Sequence, residues 1–395
     1  MQTSMRRAVA AAAALIILAS NSTATSALFV AYRIHWGLTA AGIGLAFAAY
    51  VGTLLPVLFL FGGLPDRFGR RTAILSGMLF MVSGTLTLVF AHGLALLIAG
   101  RFLQGIGAAL AIGSISATFS ESYRGKIATG QALAVVTAVA LSAGPLVTAI
   151  AYDLGAGPNL AYLPMLVLGV GMLGLVPAFP GRTPRTTVVR PADDVLAPDV
   201  VRRGLRFAMP LVFVAWSGTS LYLSLVPAYL AAALHAVNPL IGAGAFLATQ
   251  LAAIAASIRF GNVAPERSGV IAPAFVVLGL ALLVVGTSAH LWSLIVVATI
   301  AVGAGGGVAS GAAYAIAGRI GRGQLARVFA RLLFAAYAGY SLPSVVTGAI
   351  ADHASFAAGF ATVIGALAVI VATLPLLRER RTAPARGQAA PLAAA

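Results

Sequence analysis

Twelve runs of roughly 20 mostly apolar residues follow one another between residues 8 and 377, separated by short polar stops. A helix needs about 20 apolar residues to cross the hydrocarbon core of a bilayer. Inside that core only helices and closed barrels satisfy every backbone N–H and C=O. The runs predict helices near 8–32, 40–62, 72–91, 94–118, 128–151, 160–180, 207–231, 239–258, 269–288, 292–318, 328–350 and 355–377. With 60% hydrophobic and only 9% charged residues, a chain of 395 residues cannot hide its apolar surface as a water-soluble globule. Disorder and a coiled coil are excluded by the same balance, and a disulfide scaffold by the absence of cysteine. The expected fold class is an all-α membrane protein with twelve transmembrane helices.

A net charge of +16 raises the possibility of nucleic-acid binding, and the position of the charges argues against it. If the N-terminus is cytoplasmic, all of the 25 basic residues except Arg33 and Arg101 fall on inward-facing segments. Basic loops resist translocation, so this asymmetry places both termini in the cytoplasm. Arg6 and Arg7 before an apolar run resemble a signal peptide. The run continues through Leu28, Phe29 and Val30, long enough to span, so a retained first helix is expected. His35, His92, His235, His290 and His353 all fall in or beside outward loops, a pattern open to external pH sensing or to simple loop usage.

The longest loop, 181–206, carries prolines, arginines and Asp193, Asp194 and Asp199. It divides the chain into bundles at 1–180 and 207–378, with a tail at 379–395. The bundles repeat one another. Pro65-Asp66-Arg67-Phe68-Gly69 and Pro265-Glu266-Arg267-Ser268-Gly269 lie 200 residues apart, each between the second and third helix of its half. A weaker echo joins Pro145 and Pro343 in the fifth helices. Duplicated halves suggest two six-helix bundles rocking about a midplane site.

At this point the chain resembles the major facilitator superfamily of secondary transporters. The family's loop signature stands as Gly62-Gly63-Leu64-Pro65-Asp66-Arg67-Phe68-Gly69-Arg70-Arg71, and a fourth-helix pattern as Arg101-Phe102-Leu103-Gln104-Gly105-Ile106-Gly107. The resemblance implies a cytoplasmic gate built from Gly62, Asp66, Arg67, Gly69, Arg70 and Arg71, with Glu266 and Arg267 as its degenerate partner. Glycines at 62 and 69 permit close approach and a sharp turn. Asp66 is expected near the start of the third helix, where a carboxylate meets the positive dipole end. The three arginines are expected to pair with carboxylates or carbonyls across the seam between the halves.

Arg101 lies inside a span, where a guanidinium costs at least about 2.5–3.5 kcal/mol unless it faces a cavity or a partner. With Gln104 it either contacts substrate or couples the ion cycle, or else it cements carbonyls of the first helix. None of the nine acidic residues falls in the middle of a span. A lone positive charge in low dielectric favours neutral or anionic cargo over cations. Gly144-Pro145 matches part of the fifth-helix pattern of the family's drug–proton antiporters, while Ala140, Thr148 and Ala149 depart from it. A packing bend at Gly144, Pro145 and Pro343 is the alternative.

By the family's arrangement, the cavity is lined by the first and fourth helices of each half. Polar and aromatic candidates are Asn21, Thr25, Trp216, Ser220, Tyr222, Tyr314 and Tyr337, while the sixth and twelfth helices are almost purely apolar and should face lipid. The resemblance then implies a multi-pass protein of the bacterial cytoplasmic membrane, monomeric, moving a small neutral or weakly acidic molecule outward with proton coupling. Uptake of a sugar or organic acid is the second reading, and a non-transporting receptor the third. No His, Asp, Glu or Cys converge in the spans and no P-loop occurs, so neither enzyme, metal nor cofactor is expected.

Overall fold

The computed structural model describes residues 2–125, 129–179, 196–321 and 324–377, which form helices and connecting turns with no strand among them. The first bundle begins with α1, Gln2–Thr23, which continues through a 3-10 turn over Ala24–Leu28 into Phe29–Trp36. It is followed by α2 (Ala40–Phe61), α3 (Arg70–Val89), α4 (Leu94–Ser122), α5 (Thr129–Ala151) and α6 (Leu163–Leu175). The second comprises α7 (Pro198–Ser224, followed by Val226–Leu234), α8 (Pro239–Phe260), α9 (Pro265–Ser288), α10 (Trp292–Ile320), α11 (Leu325–His353) and α12 (Phe356–Leu377).

Eleven of these crossings are long and apolar enough to span a membrane. The sixth is shorter than its expected 160–180 because Pro177 lacks the N–H that would continue the ladder, and the chain tightens into a 3-10 turn over Val176–Ala178. Helix α7 departs in the other direction. It starts at Pro198 rather than 207, taking the end of the central loop into the helix. Val201 and Leu205 bury one side of this extension, and Arg203 pairs with Asp199 one turn earlier at 2.7 Å. The rest of that loop, 181–195, and the tail at 379–395 lie outside the described residues.

The 3-10 segment of α1 falls in the Asn21–Ser26 polar run. There Ser22, Thr23 and Ser26 each donate to a carbonyl three or four residues back. Such back-bonding competes with the regular ladder and bends helices. Burial ranks the helices from centre to rim. In α1 and α7, 83% and 72% of the apolar window is covered by protein, against 22% in α12. Side chains such as Val369 and Leu376 on α12, and Val167 and Val170 on α6, are exposed and face the bilayer.

Within each half, α3 packs on α4 and α9 on α10, while α1 packs on α4 and α5 as α7 does on α10 and α11. The halves meet along two seams related by the internal repeat, α2 on α11 and α5 on α8. One face of the molecule carries the N-terminus, Arg67, Arg70, Arg71, Arg267 and Arg319, and is called the basic face. At the opposite face the seam is closed: Ala40, Ile43 and Phe47 of α2 are buried. Toward the basic face it is not, since Phe59, Leu60 and Phe61 are exposed, as is Phe334 of α11.

Candidate functional site

The signature loop on the basic face folds in three pieces. Gly62 ends α2 at ordinary helical angles, Leu64–Phe68 forms a short helix, and Gly69 at φ 90° caps α3. Glycine is required at 69, where a side chain would be strained. The expected sharp turn at Gly62 is absent, because φ there is −58°. Asp66 belongs to the first turn of the short helix rather than the start of α3, and is exposed together with Arg67.

Arg70 and Arg71 find partners, but inside their own half rather than across the seam. Arg70 donates to both Glu121 oxygens at the end of α4 (2.6 and 2.7 Å). Arg71 donates to the carbonyls of Pro177 at 2.8 Å and of Phe179 at 3.0 and 3.2 Å. The halves are joined at the opposite face, and these arginines bond to the helix ends of their own bundle. In the second half Glu266, in the first turn of α9, is bonded to Arg319 of α10, and Arg267 is exposed.

Gly144 and Pro145 sit against α1. A Cβ at 144 would run into the Ser20 carbonyl, so the helices approach this closely only over glycine. Pro145 offers no N–H to the Leu141 carbonyl one turn back. Thr23 of α1 supplies the missing donor at 2.9 Å. Ser20 donates to the Ala140 carbonyl and Thr148 to that of Ala24, at 2.8 and 2.9 Å. Pro343 frees the Gly339 carbonyl in the same way, and Ser220 of α7 lies 3.5 Å from it.

Arg101 is 2% exposed in α4. Its Nη1 donates to the Ser22 carbonyl of α1 at 2.5 Å and to Gln104 Oε1 at 2.7 Å. Gln104 passes the network on, donating to the Asn21 carbonyl (3.1 Å) and to Thr85 (3.2 Å), and Thr85 donates to Asn21 Oδ1 at 2.9 Å. The guanidinium lies 4.8 Å over the Tyr50 ring of α2, and Nε has no partner among the described residues. A carbonyl bond to the first helix is thus formed, while part of the charge stays available.

The second half places a cluster of aromatic rings against α2. Trp216 of α7 stands edge-on to Tyr337 and Tyr340, with centroids 5.2 and 5.7 Å apart. Phe47 of α2 lies 4.7 Å from Tyr340 and carries the contact across the seam. Tyr314 stacks on Phe329 at 6.3 Å. Other expected lining residues turn inward: Asn21 bonds Thr85 and the Ile17 carbonyl, and the Tyr222 hydroxyl lies 3.1 Å from that of Thr299. Ser220 is buried beside Ser344, and Thr25 is buried with no partner for its hydroxyl among the described residues.

Two groups near the charge were not expected from the sequence. Phe47 and Tyr50, one turn apart on α2, share a face with buried Ile43 and Leu54. That stripe marks a packed face, but nothing in it says that the face meets the other half. Tyr32 and Tyr162 share a buried hydroxyl contact of 2.7 Å between α1 and the start of α6. Their separation of 130 residues leaves no local signal.

Twelve helices, eleven of them long and apolar enough to cross a membrane, two repeat-related seams and a polar centre between them define a secondary-transporter scaffold. The chain belongs to the Major Facilitator Superfamily, whose family profile matches residues 10–287. It is 32% identical over 163 residues to a chloramphenicol resistance protein of Pseudomonas aeruginosa, covering 40% of this chain and 37% of that one. It is also 32% identical over 136 residues to the multidrug transporter MdfA of Yersinia pestis bv. Antiqua (strain Angola), covering 33% of each. The chain spans about a third of the length of these curated relatives. Among solved structures it is similar to a point mutant of the nucleoside transporter NupG, with a TM-score of 0.73 and 10% identity over 94% of this chain and 99% of that one. That likeness concerns the fold.

Proposed function

We propose that the protein is an alternating-access exporter of the bacterial cytoplasmic membrane, with both termini in the cytoplasm, moving a neutral or weakly acidic small molecule with proton coupling. The observation that carries this reading is Arg101: a buried cation lying over the Tyr50 ring, with no carboxylate among its described contacts. In low dielectric such a centre repels cations and accepts an anion or a dipolar aromatic molecule. Outward direction is supported by the resistance and multidrug relatives, each matched over about a third of its length.

On this reading the molecule is open toward the cytoplasm. Cargo enters past the exposed ends of α2 and α11 and reaches Arg101, Tyr50, Trp216, Tyr337 and Tyr340. Rocking of the halves then closes Asp66 and Arg67 against the basic-face ends of the second bundle. The test is counterflow in proteoliposomes with and without a proton gradient, using chloramphenicol as the neutral probe and an aromatic carboxylate as the anionic one. Exchange of either probe, with efflux accelerated by a gradient directed against it, is expected. Accumulation driven by protons moving in the same direction as cargo overturns export in favour of uptake.

A further inference from the structure

Each seam between the halves ends, at the face opposite the basic one, in a carboxylate placed on the start of a helix in the other half. Asp352, in the last turn of α11, accepts the backbone N–H of Ala40 at 2.7 Å and of Ala41 at 2.8 Å, the first two residues of α2. Asp153, just beyond α5, accepts from the Asn238 side chain at 3.0 Å, and Asn238 is the N-cap of α8, its own oxygen bonded to Leu240 N. The repeat that relates α5 to α11 and α2 to α8 therefore relates the two clasps. Both acids lie 199 residues apart in the sequence, and both are exposed at the ends of their helices.

The packing behind the clasps is smooth. At the α2–α11 seam a Cβ on Gly348 would strike the Ala40 carbonyl and one on Gly44 the Ser344 carbonyl, so backbone slides against backbone. At the other seam Ala27, Ala149 and Ala243 cluster. Small residues of this kind hold helices close without interlocking them. Directional bonds at the seam ends add to that packing, and a carboxylate on the unpaired N–H groups of a helix start is suited to this.

We propose that Asp352 and Asp153 are paired positioning residues of an outer latch, which must release before the face opposite the basic one can open. The inference rests on the alternating-access reading. Asp352, with two backbone bonds, is the stronger member, and Asp153, acting through the Asn238 side chain, the weaker.

The chain has no cysteine, so two introduced ones take spin labels uniquely. With His92→Cys and Ala289→Cys on opposite halves of that face, pulsed EPR on the full chain in lipid nanodiscs reads the opening as a longer inter-label distance. In that background Asp352→Ala should raise the long-distance to short-distance ratio roughly fivefold and Asp153→Ala about twofold, the scale of one charge at an exposed helix start. Asp352→Asn, which keeps one acceptor and the side-chain shape, should fall between. His353→Ala, next to the latch but outside it, should leave the distribution unchanged. A distribution in Asp352→Ala superimposable on its parent overturns the latch, as does an equal shift in His353→Ala. If Asp352→Ala fails to fold, Asp352→Asn alone decides. Should the parent show no flux in proteoliposomes, the transport reading fails, and the distances still report on the latch.

Discussion

The two halves repeat one fold, yet they differ where α4 meets α1 and where α10 meets α7. In the first half Arg101 reaches the Ser22 carbonyl of α1. In the second, the matching contact joins the Tyr222 hydroxyl of α7 to Thr299 of α10. One half thus holds a buried cation and the other a neutral hydrogen bond, with Trp216, Tyr337 and Tyr340 nearby. The signature loops diverge as well. Pro65 is the second residue of a five-residue helix capped by Gly69, whereas Pro265 opens α9 directly, and Gly269 is buried under Phe207 and Leu211. Even the ion pairs are reversed: the base lies on α3 and the acid on α4 in one half, the acid on α9 and the base on α10 in the other. A duplicated scaffold has kept its packing and divided the chemistry between its halves.

The sharpest way to break this comparison is to neutralise the two counterpart acids. On the proposed alternating-access reading, Asp66→Asn is expected to abolish transport while leaving expression intact, because the exposed Asp66 would engage the other half on closure of the basic face. Glu266→Gln, which weakens the pair with Arg319 inside one half, should change flux far less than Asp66→Asn does. Comparable losses in both variants would show the loops to be equivalent.

Next in size is Arg101→Ala. Removing the guanidinium strands the buried Ser22 carbonyl and Gln104, a loss of about 1–3 kcal/mol in stability. Flux of an anionic probe should fall by at least about tenfold more than that of a neutral one, since only the anion loses a charge partner. Equal losses, read in paired proteoliposome assays, would assign Arg101 to holding α1 and α4 together.

The smallest effect concerns the prolines. Thr23→Val should destabilise the protein by about 1 kcal/mol by orphaning the Leu141 carbonyl. In the Pro145→Ala background the helix supplies that N–H itself, so Thr23→Val should there cost measurably less. Ser220→Ala should have less effect still, because its bond to the Gly339 carbonyl is long at 3.5 Å. Thermal unfolding of this mutant cycle measures the coupling, and additive losses would remove Thr23 from the account.

Much of the architecture is legible in the chain because lipid imposes a length on every span and a charge bias on every loop. The run lengths, the 200-residue repeat and the signature loop indicate the two bundles without any contact being known. Where local chemistry overrode the pattern, expectations moved: Pro177 shortened α6, and Pro198 with the Asp199–Arg203 pair lengthened α7. The histidines at the face opposite the basic one also gain an account. His235 and His290 adopt left-handed backbone angles just past helix ends, while His35 and His92 bond nearby carbonyls through Nδ1. Helix C-termini favour such groups, and the odd-numbered helices end at that face.

The site was only partly legible. Arg101, Gln104, Trp216 and Tyr337 stand out as polar or aromatic groups in apolar runs, and so do Asn21 and Tyr222, which the fold turns into their own halves. The sequence by itself determined which stretches form apolar helices and that the basic residues gather at their alternate ends, because burial in lipid is decided residue by residue along the chain. The tertiary structure alone decided that Tyr50 meets Arg101 and Phe47 meets Tyr340, that Thr23 repairs the bond Pro145 removes, and that Asp352 caps a helix 312 residues away. Those are pairings between faces of rigid helices, set by rotation and packing rather than by any local preference of the chain.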